Sequence, residues 1–366
     1  GSGPFGGVSS GGWGGVVGGP ASSGVQSIPQ IARQASALTV FQRTANFAVP
    51  AWNRELTAAE RAAVRAEYGA LRERQKRSPN AIDRPGPIGS AAKASEAERR
   101  GECARRGAKG GLPCLSACDD LLLDPQANAA AAECVKARIR ETVTDPATAE
   151  LLCPTDLIGC KRLCVEIDYY ETFNLPHVRL VDIRPDGIQG VTAREVRAAG
   201  EVFELDALVL ATGFDAMTGA LERIDVRGEG GRSLRAEWKD GPASYLGLAM
   251  EGFPNLFTVT GPGSPSVLTN MIVSIEQHCE WIAEAVAEMA RRGASRMEAE
   301  ADAQAAWTQG NAAMAGGGLR ESCGSWYRGA NIPGKPRVYM PYVGGFPAYT
   351  EALEGVTARG YEGFAV

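Results

Sequence analysis

The chain has 366 residues, 44% of them hydrophobic, which is enough for the cores of two or three domains. A net charge of -5 excludes the broad basic face of a nucleic-acid-binding domain, so an anionic ligand has to be caught by a few local cations. Nine cysteines without a Cys-x-x-Cys pair, beside only His177 and His278, argue against a zinc site and read as reduced, packed thiols. With no basic-then-apolar leader and no apolar run of bilayer length, the expectation is a cytoplasmic monomer with no membrane partner.

Residues 1–15 are dominated by glycine and serine, a composition expected of a disordered leader. The next stretch, "VVGGPASSGVQSIPQIA", has the order of a dinucleotide turn: Val16 and Val17 end a strand, and Gly19, Ala21 and Gly24 hold the three glycine positions of G-x-G-x-x-G. Ala21 adds a methyl group at the position where backbone approaches a pyrophosphate, and Pro20 removes one N–H donor, so the turn is weakened but not excluded. Val25, Ile28, Ile31 and Ala32 recur at helical spacing, and "ALTVFQR" (37–43) has the β-branched and aromatic content of a strand. The whole is a β-turn-α-β unit. In such folds an acid about 20 residues beyond the glycines binds a ribose 2′-hydroxyl, whereas an arginine accommodates a 2′-phosphate. Here that strand ends in Gln42, Arg43 and Thr44, which predicts NADP(H) rather than NAD(H).

Residues 55–75 are rich in Ala, Glu and Arg, with Thr57 and Glu60 at the spacing of a capping box, and 128–144 again read as helix. Residues 52–158 are therefore expected as a helical insertion. "VRLVDI" (178–183) and "ALVLATGF" (207–214) are buried-type strands, with turns between them that suit a small β-meander. Small residues at Ala211 and Gly213 predict a close approach of the backbone there to a cofactor or another domain. Residues 274–292 read as a long helix, for which Ser264, Thr269 and Asn270 are candidate caps.

Several blocks, "SSGVQSIPQIA", "LTVFQRTANFAVP", "GCKRLCVEIDYYETFN", "LVLATGFDAMTGAL", "SYLGLAMEGFPNLFTVTGPGSPSVLTNMIVSIEQH" and "SWYRGANIPGKPRVYMPYVGG", resemble the Baeyer–Villiger monooxygenases of the cyclohexanone and phenylacetone type. The resemblance covers about residues 16–366. It implies an α/β fold: a Rossmann-like NADPH-binding domain (16–51 and 159–213) with the helical insertion, then the C-terminal part of an FAD-binding and substrate domain (214–366). The family's first glycine fingerprint and its F-x-G-x-x-x-H-x-x-x-W block have no counterpart in these residues, so the flavin site is expected to be incomplete in them.

The implied chemistry uses FAD, NADP(H) and O2 to insert oxygen beside a ketone carbonyl, giving an ester or lactone. By resemblance, Gly19, Ser22, Ser23 and Gly24 hold the NADP pyrophosphate, Gln26 is a further cofactor contact, and Arg43, Thr44 and Lys161 hold the 2′-phosphate. Arg162 is the catalytic arginine, a fixed guanidinium that stabilises developing negative charge. Thr212, Gly213, Asn270 and Trp326 contact cofactor, Trp326 from a loop that closes over NADP, and Leu268 and Met271 line the substrate pocket. Two other readings stay open: a flavin monooxygenase that oxidises nitrogen or sulfur, and an NADP-binding remnant without activity.

Overall fold

The computed structural model describes residues 14–18, 22–83, 86–87, 89–91, 93–107, 110, 116–184 and 186–366. They form two compact units, one comprising the chain up to Arg54 and from Gly86 to Gly213, the other Glu55–Pro85 and Phe214–Val366.

The first unit is built on a four-stranded parallel sheet of β1 (Gly14–Gly18), β2 (Ala37–Gln42), β5 (Val178–Asp182) and β9 (Ala207–Leu210), in the order β5-β2-β1-β9. Two short parallel strands, β3 (Ala48–Pro50) and β4 (Cys164–Glu166), pair beside it. Helix α1 (Ser22–Ala32) connects β1 to β2 and buries Val25, Ile28 and Ala32 against Leu38 and Val40 of β2. Because side chains alternate along a strand, Phe41 faces the other way and packs edge-to-face on Phe203, ring centroids 5.0 Å apart. Phe203 belongs to the expected meander, the antiparallel strands β6 (Ile188–Val191), β7 (Glu195–Ala198) and β8 (Glu201–Glu204).

Gly14 and Gly15 were expected in the disordered leader; they are instead the first residues of β1. A ladder needs backbone rather than side chains, and Gly14 is held at both its amide and its carbonyl: its N–H donates to Asp206 Oδ2 at 2.8 Å and its C=O accepts from Asp206 N at 2.9 Å. Residues 1–13 and the turn residues Gly19, Pro20 and Ala21 lie outside the described residues.

The expected insertion 52–158 is helical but divided between the units. Helices α2 (Ala58–Ala66) and α3 (Tyr68–Lys76) go with the second unit, and α4 (Glu96–Gly107), α5 (Pro125–Thr142) and α6 (Pro146–Leu152) with the first. Contacts made by Arg72, Pro79, Asn80 and Ala81 explain the division: Arg72 pairs with Glu276, Asn80 Nδ2 donates to the Leu268 carbonyl at 2.6 Å, Phe346 N donates to the Pro79 carbonyl at 2.9 Å, and Ala81 packs on Val273 and Phe346. The Thr57–Glu60 capping box is present, each side chain accepting from the other residue's amide, at 3.2 and 2.8 Å. Helix α2 buries no side chain, so this cap is its main anchor. Replacing Thr57 with alanine should cost the helix about 1 kcal/mol, read as faster amide hydrogen exchange across 58–66.

In the first unit, α7 (Tyr169–Thr172) buries Tyr169 and Tyr170 beneath α1. The second unit adds two one-turn helices, α8 (Gly219–Glu222) and α9 (Leu234–Glu237). Around an aromatic core stand α10 (Met271–Arg292), α11 (Ala301–Ala315) and α12 (Phe346–Ala358), with a ribbon of β10 (Glu298–Ala299) and β11 (Phe364–Ala365). Tyr245, Trp281, Trp307, Tyr342, Tyr349 and Phe364 supply most of that core, with Trp307 stacked on Tyr342 at 5.3 Å. Cys118, Cys153, Cys164 and Cys279 are thiols, whereas Cys160 is disulfide-bonded, which corrects the reading of reduced thiols.

Candidate functional site

Strands β1, β2 and β9 are parallel and in register, Gly18 lying beside Phe41 and Leu210. Whatever follows each strand therefore leaves one carboxyl edge: the start of α1 with Ser22 and Ser23, then Arg43 and Thr44, then Thr212 and Gly213. The chain runs from β1 to β2 to β5 on one side and places β9 on the other, so the order reverses at β1. That reversal opens a crevice, and open α/β sheets bind ligands there.

Helix α1 carries no acid in its first turn. Its free N–H groups and positive end are thus unopposed there. Ser22, Ser23 and Gln26 are exposed, and Gly24 is buried. Gly213 has φ +95°, which glycine alone adopts readily, but a side chain there would meet nothing within 4 Å. The glycine serves a left-handed turn at the end of the unit.

A second segment is stitched to this edge. Cys164 N donates to the Phe47 carbonyl at 3.0 Å, and Asn46 Nδ2 donates to the Arg162 carbonyl at 3.5 Å and to Cys164 Sγ at 3.1 Å. Ser22, at the start of α1, lies close to the same thiol. Burial pushes the Cys164 thiol up, and Ser22 and Asn46 offset part of that, so the group is a neutral joint rather than a nucleophile. One side chain thus links the start of α1, the loop that carries Arg43 and Thr44, and the strand entered from Lys161 and Arg162. Arg43 is exposed and makes no ion pair among the described residues, and Arg162 is exposed too. Lys161 is engaged: its Nζ lies 2.5 Å from Asp156 Oδ2.

The remaining candidates lie in the second unit. Asn270 caps α10, its side chain accepting from Ile272 N at 3.2 Å, while its own N–H donates to the Asn80 carbonyl at 2.8 Å. Ser264 and Thr269 do not cap that helix: Ser264 Oγ donates to the Gly261 carbonyl at 2.7 Å and Thr269 Oγ1 to the Ser266 carbonyl at 2.9 Å. Leu268 and Met271 are half-buried beside the cap. Trp326 is half-buried in a short 3-10 turn, tilted against Tyr327 with ring centroids 4.3 Å apart. The segment after Gly213 is fixed by Lys335, which pairs with Asp215, and by Asn331 Nδ2, which donates to the Phe214 carbonyl at 2.9 Å.

Behind this cap His278 is fully buried, with Nδ1 accepting from Thr260 N at 2.8 Å. Burial lowers its pKa to about 4. Between pH 4 and about 6.5 the unfolded chain binds a proton that the folded chain refuses. The contribution is therefore complete above pH 6.5 and fades as the pH falls towards 4, by about 3 kcal/mol in all. Denaturation of the His278→Asn variant beside the parent, at pH 4.5 and 7, should show a smaller loss on acidification in the variant.

No protein-family model matches the chain. It is 38% identical over 353 residues to a phenazine N-monooxygenase of Lysobacter antibioticus and 37% identical over 350 residues to a Baeyer–Villiger monooxygenase of Pseudooceanicola batsensis, covering 96% and 95% of this chain. Among solved structures it resembles an oxidised steroid monooxygenase bound to NADP, with TM-score 0.92 and 44% identity over 99% of this chain and 68% of that one. A closed cyclohexanone monooxygenase gives TM-score 0.94 and 37% identity over the same shares. The chain belongs to the Baeyer–Villiger monooxygenases. It spans 64% of the length of the two curated relatives.

Of the residues that the resemblance to Baeyer–Villiger monooxygenases implied, Ser22, Ser23, Gly24, Gln26, Arg43, Thr44, Lys161, Arg162, Thr212 and Gly213 all belong to the first unit. Trp326, Asn270, Leu268 and Met271 belong to the second, and Gly19 lies outside the described residues. Sequence reasoning missed Asp156, Asn46 and Cys164. Asp156 had a faint signal, five residues ahead of the lysine in "DLIGCK".

Proposed function

We propose that the protein carrying this chain uses FAD and NADPH to insert one atom of O2 beside the carbonyl of a ketone, giving an ester or lactone. The observation that carries this reading is family membership combined with the cation-bearing carboxyl edge of the first unit. That edge fits a phosphorylated dinucleotide: a helix N-terminus free of acids stands where a pyrophosphate needs N–H donors, and Arg43, Thr44 and Lys161 stand in segments joined by hydrogen bonds. On this reading Gly19, Ser22, Ser23 and Gly24 hold the pyrophosphate, with Gln26 as a further nucleotide contact. Arg43 and Lys161 take the 2′-phosphate with Thr44 as a hydroxyl donor, and Thr212 and Gly213 border the nucleotide.

A bound flavin supplies the redox chemistry, accepting hydride from NADPH and activating oxygen. The chain's own contribution is electrostatic and steric. Arg162 offers a guanidinium cation to developing negative charge. Asn270 and the loop before it border the flavin, Leu268 and Met271 wall the substrate space, and Trp326 closes over the nucleotide. These roles come from the resemblance.

The test is product analysis with a cyclic ketone, NADPH, FAD and labelled O2. The reading expects a lactone carrying one labelled oxygen; NADPH consumption that yields only hydrogen peroxide contradicts it. The 38% identity to a phenazine N-monooxygenase favours nitrogen oxidation as a second reading. A parallel assay with an aromatic amine heterocycle separates the two.

A further inference from the structure

We propose that Asp156 sets how strongly this site prefers a 2′-phosphate, by acting as the resident counter-ion of Lys161. The proposal rests on the reading of the carboxyl edge as an NADP(H) site. Three observations carry it. Lys161 Nζ and Asp156 Oδ2 are 2.5 Å apart, with both side chains partly open to solvent at 26% and 39%. Arg43, the other cation assigned to the phosphate, has no such partner among the described residues. No carboxylate stands at the end of β2, where an acid would bind a ribose 2′-hydroxyl; the acid arrives instead from the loop between α6 and β4.

A 2′-phosphate that engages Lys161 must displace this carboxylate or share the lysine with it. A dianion with three acceptor oxygens wins that exchange, but it must offset the broken pair and the repulsion of a nearby like charge. A nucleotide without the phosphate has nothing to exchange. Asp156 thus lowers the site's selectivity below what two uncommitted cations would give.

The probes are 2′,5′-ADP and 5′-AMP, titrated into the full chain, its Asp156→Asn variant, its Lys161→Ala variant and the double variant, with thermal unfolding as the check on folding. Asp156→Asn should tighten 2′,5′-ADP about three- to fivefold, leave 5′-AMP unchanged, and have no effect in the Lys161→Ala background. Unchanged or weaker 2′,5′-ADP binding overturns the proposal. So does an equal gain for 5′-AMP, or a gain that persists without Lys161. If the parent chain binds 2′,5′-ADP no tighter than 5′-AMP, the reading of the edge as an NADP(H) site fails as well; a parent preference that Asp156→Asn leaves untouched sinks only the role of Asp156.

Discussion

Replacing Arg43 with alanine should weaken NADPH binding about tenfold to a hundredfold while leaving NADH binding within about twofold of the parent chain. A hydrogen bond between a guanidinium and a phosphate contributes about 1.5–3 kcal/mol, and the bare 2′-hydroxyl of NADH has no charge to lose. Arg43 is well suited to show the full effect, because it is exposed at the end of β2 and supports no ion pair among the described residues, so its removal leaves the fold intact. Lys161→Ala should show a smaller loss, since part of its charge is already offset by Asp156. Nucleotide titrations followed by calorimetry read both values. A parallel fall in NADH and NADPH affinity would assign Arg43 to the shared part of the dinucleotide instead.

The largest expected effect on stability lies in the second unit. Tyr349 is fully buried, touches His278, Trp307 and Tyr342, and donates its hydroxyl to the Leu246 carbonyl at 2.6 Å. Tyr349→Ala removes a whole ring from a packed aromatic cluster and strands that carbonyl, at a cost of about 3–5 kcal/mol. Tyr349→Phe keeps the ring and loses only the hydrogen bond, about 1–2 kcal/mol. Chemical denaturation followed by tryptophan fluorescence should rank the three proteins in that order, because Trp281 and Trp307 sit in the same cluster.

What the sequence made legible follows from where local chemistry is decisive. β2 and β5 lie within their expected ranges because their β-branched and aromatic runs have no competing periodicity, and the Thr57 box and the Asn270 cap depend on residues only two or three positions apart. The same local view could not see why 55–75 breaks into α2 and α3. The junction residue Glu67 leaves helical geometry at φ -101° and ψ 10°, and only Gly69, already inside the first turn of α3, hints at the place. Nor could it divide 52–158 between two units, since contacts such as that of Asn80 with Leu268 join residues far apart in the chain. The glycines of β1 were illegible for a different reason: their order comes from backbone pairing with β2 and β9, which composition does not encode.

At the site, the residues that announced themselves were those in dense motifs, Arg43 at a strand end and Lys161-Arg162 in "GCKR". The groups that hold them together were silent. Cys164 looked like one thiol among nine, and only the fold brings Ser22 and Asn46 to it. Asp156 stands in no motif, and only the fold turns its carboxylate onto Lys161.

Whether the carboxyl edge of the first unit selects a 2′-phosphorylated dinucleotide is decided by a structure of the chain with NADP+ bound. The pyrophosphate should lie against the first turn of α1, with the 2′-phosphate within hydrogen-bond distance of both Arg43 and Lys161. A nucleotide bound away from this edge, or one whose 2′-phosphate points into solvent with neither cation turned towards it, would show that these cations do not select the phosphate.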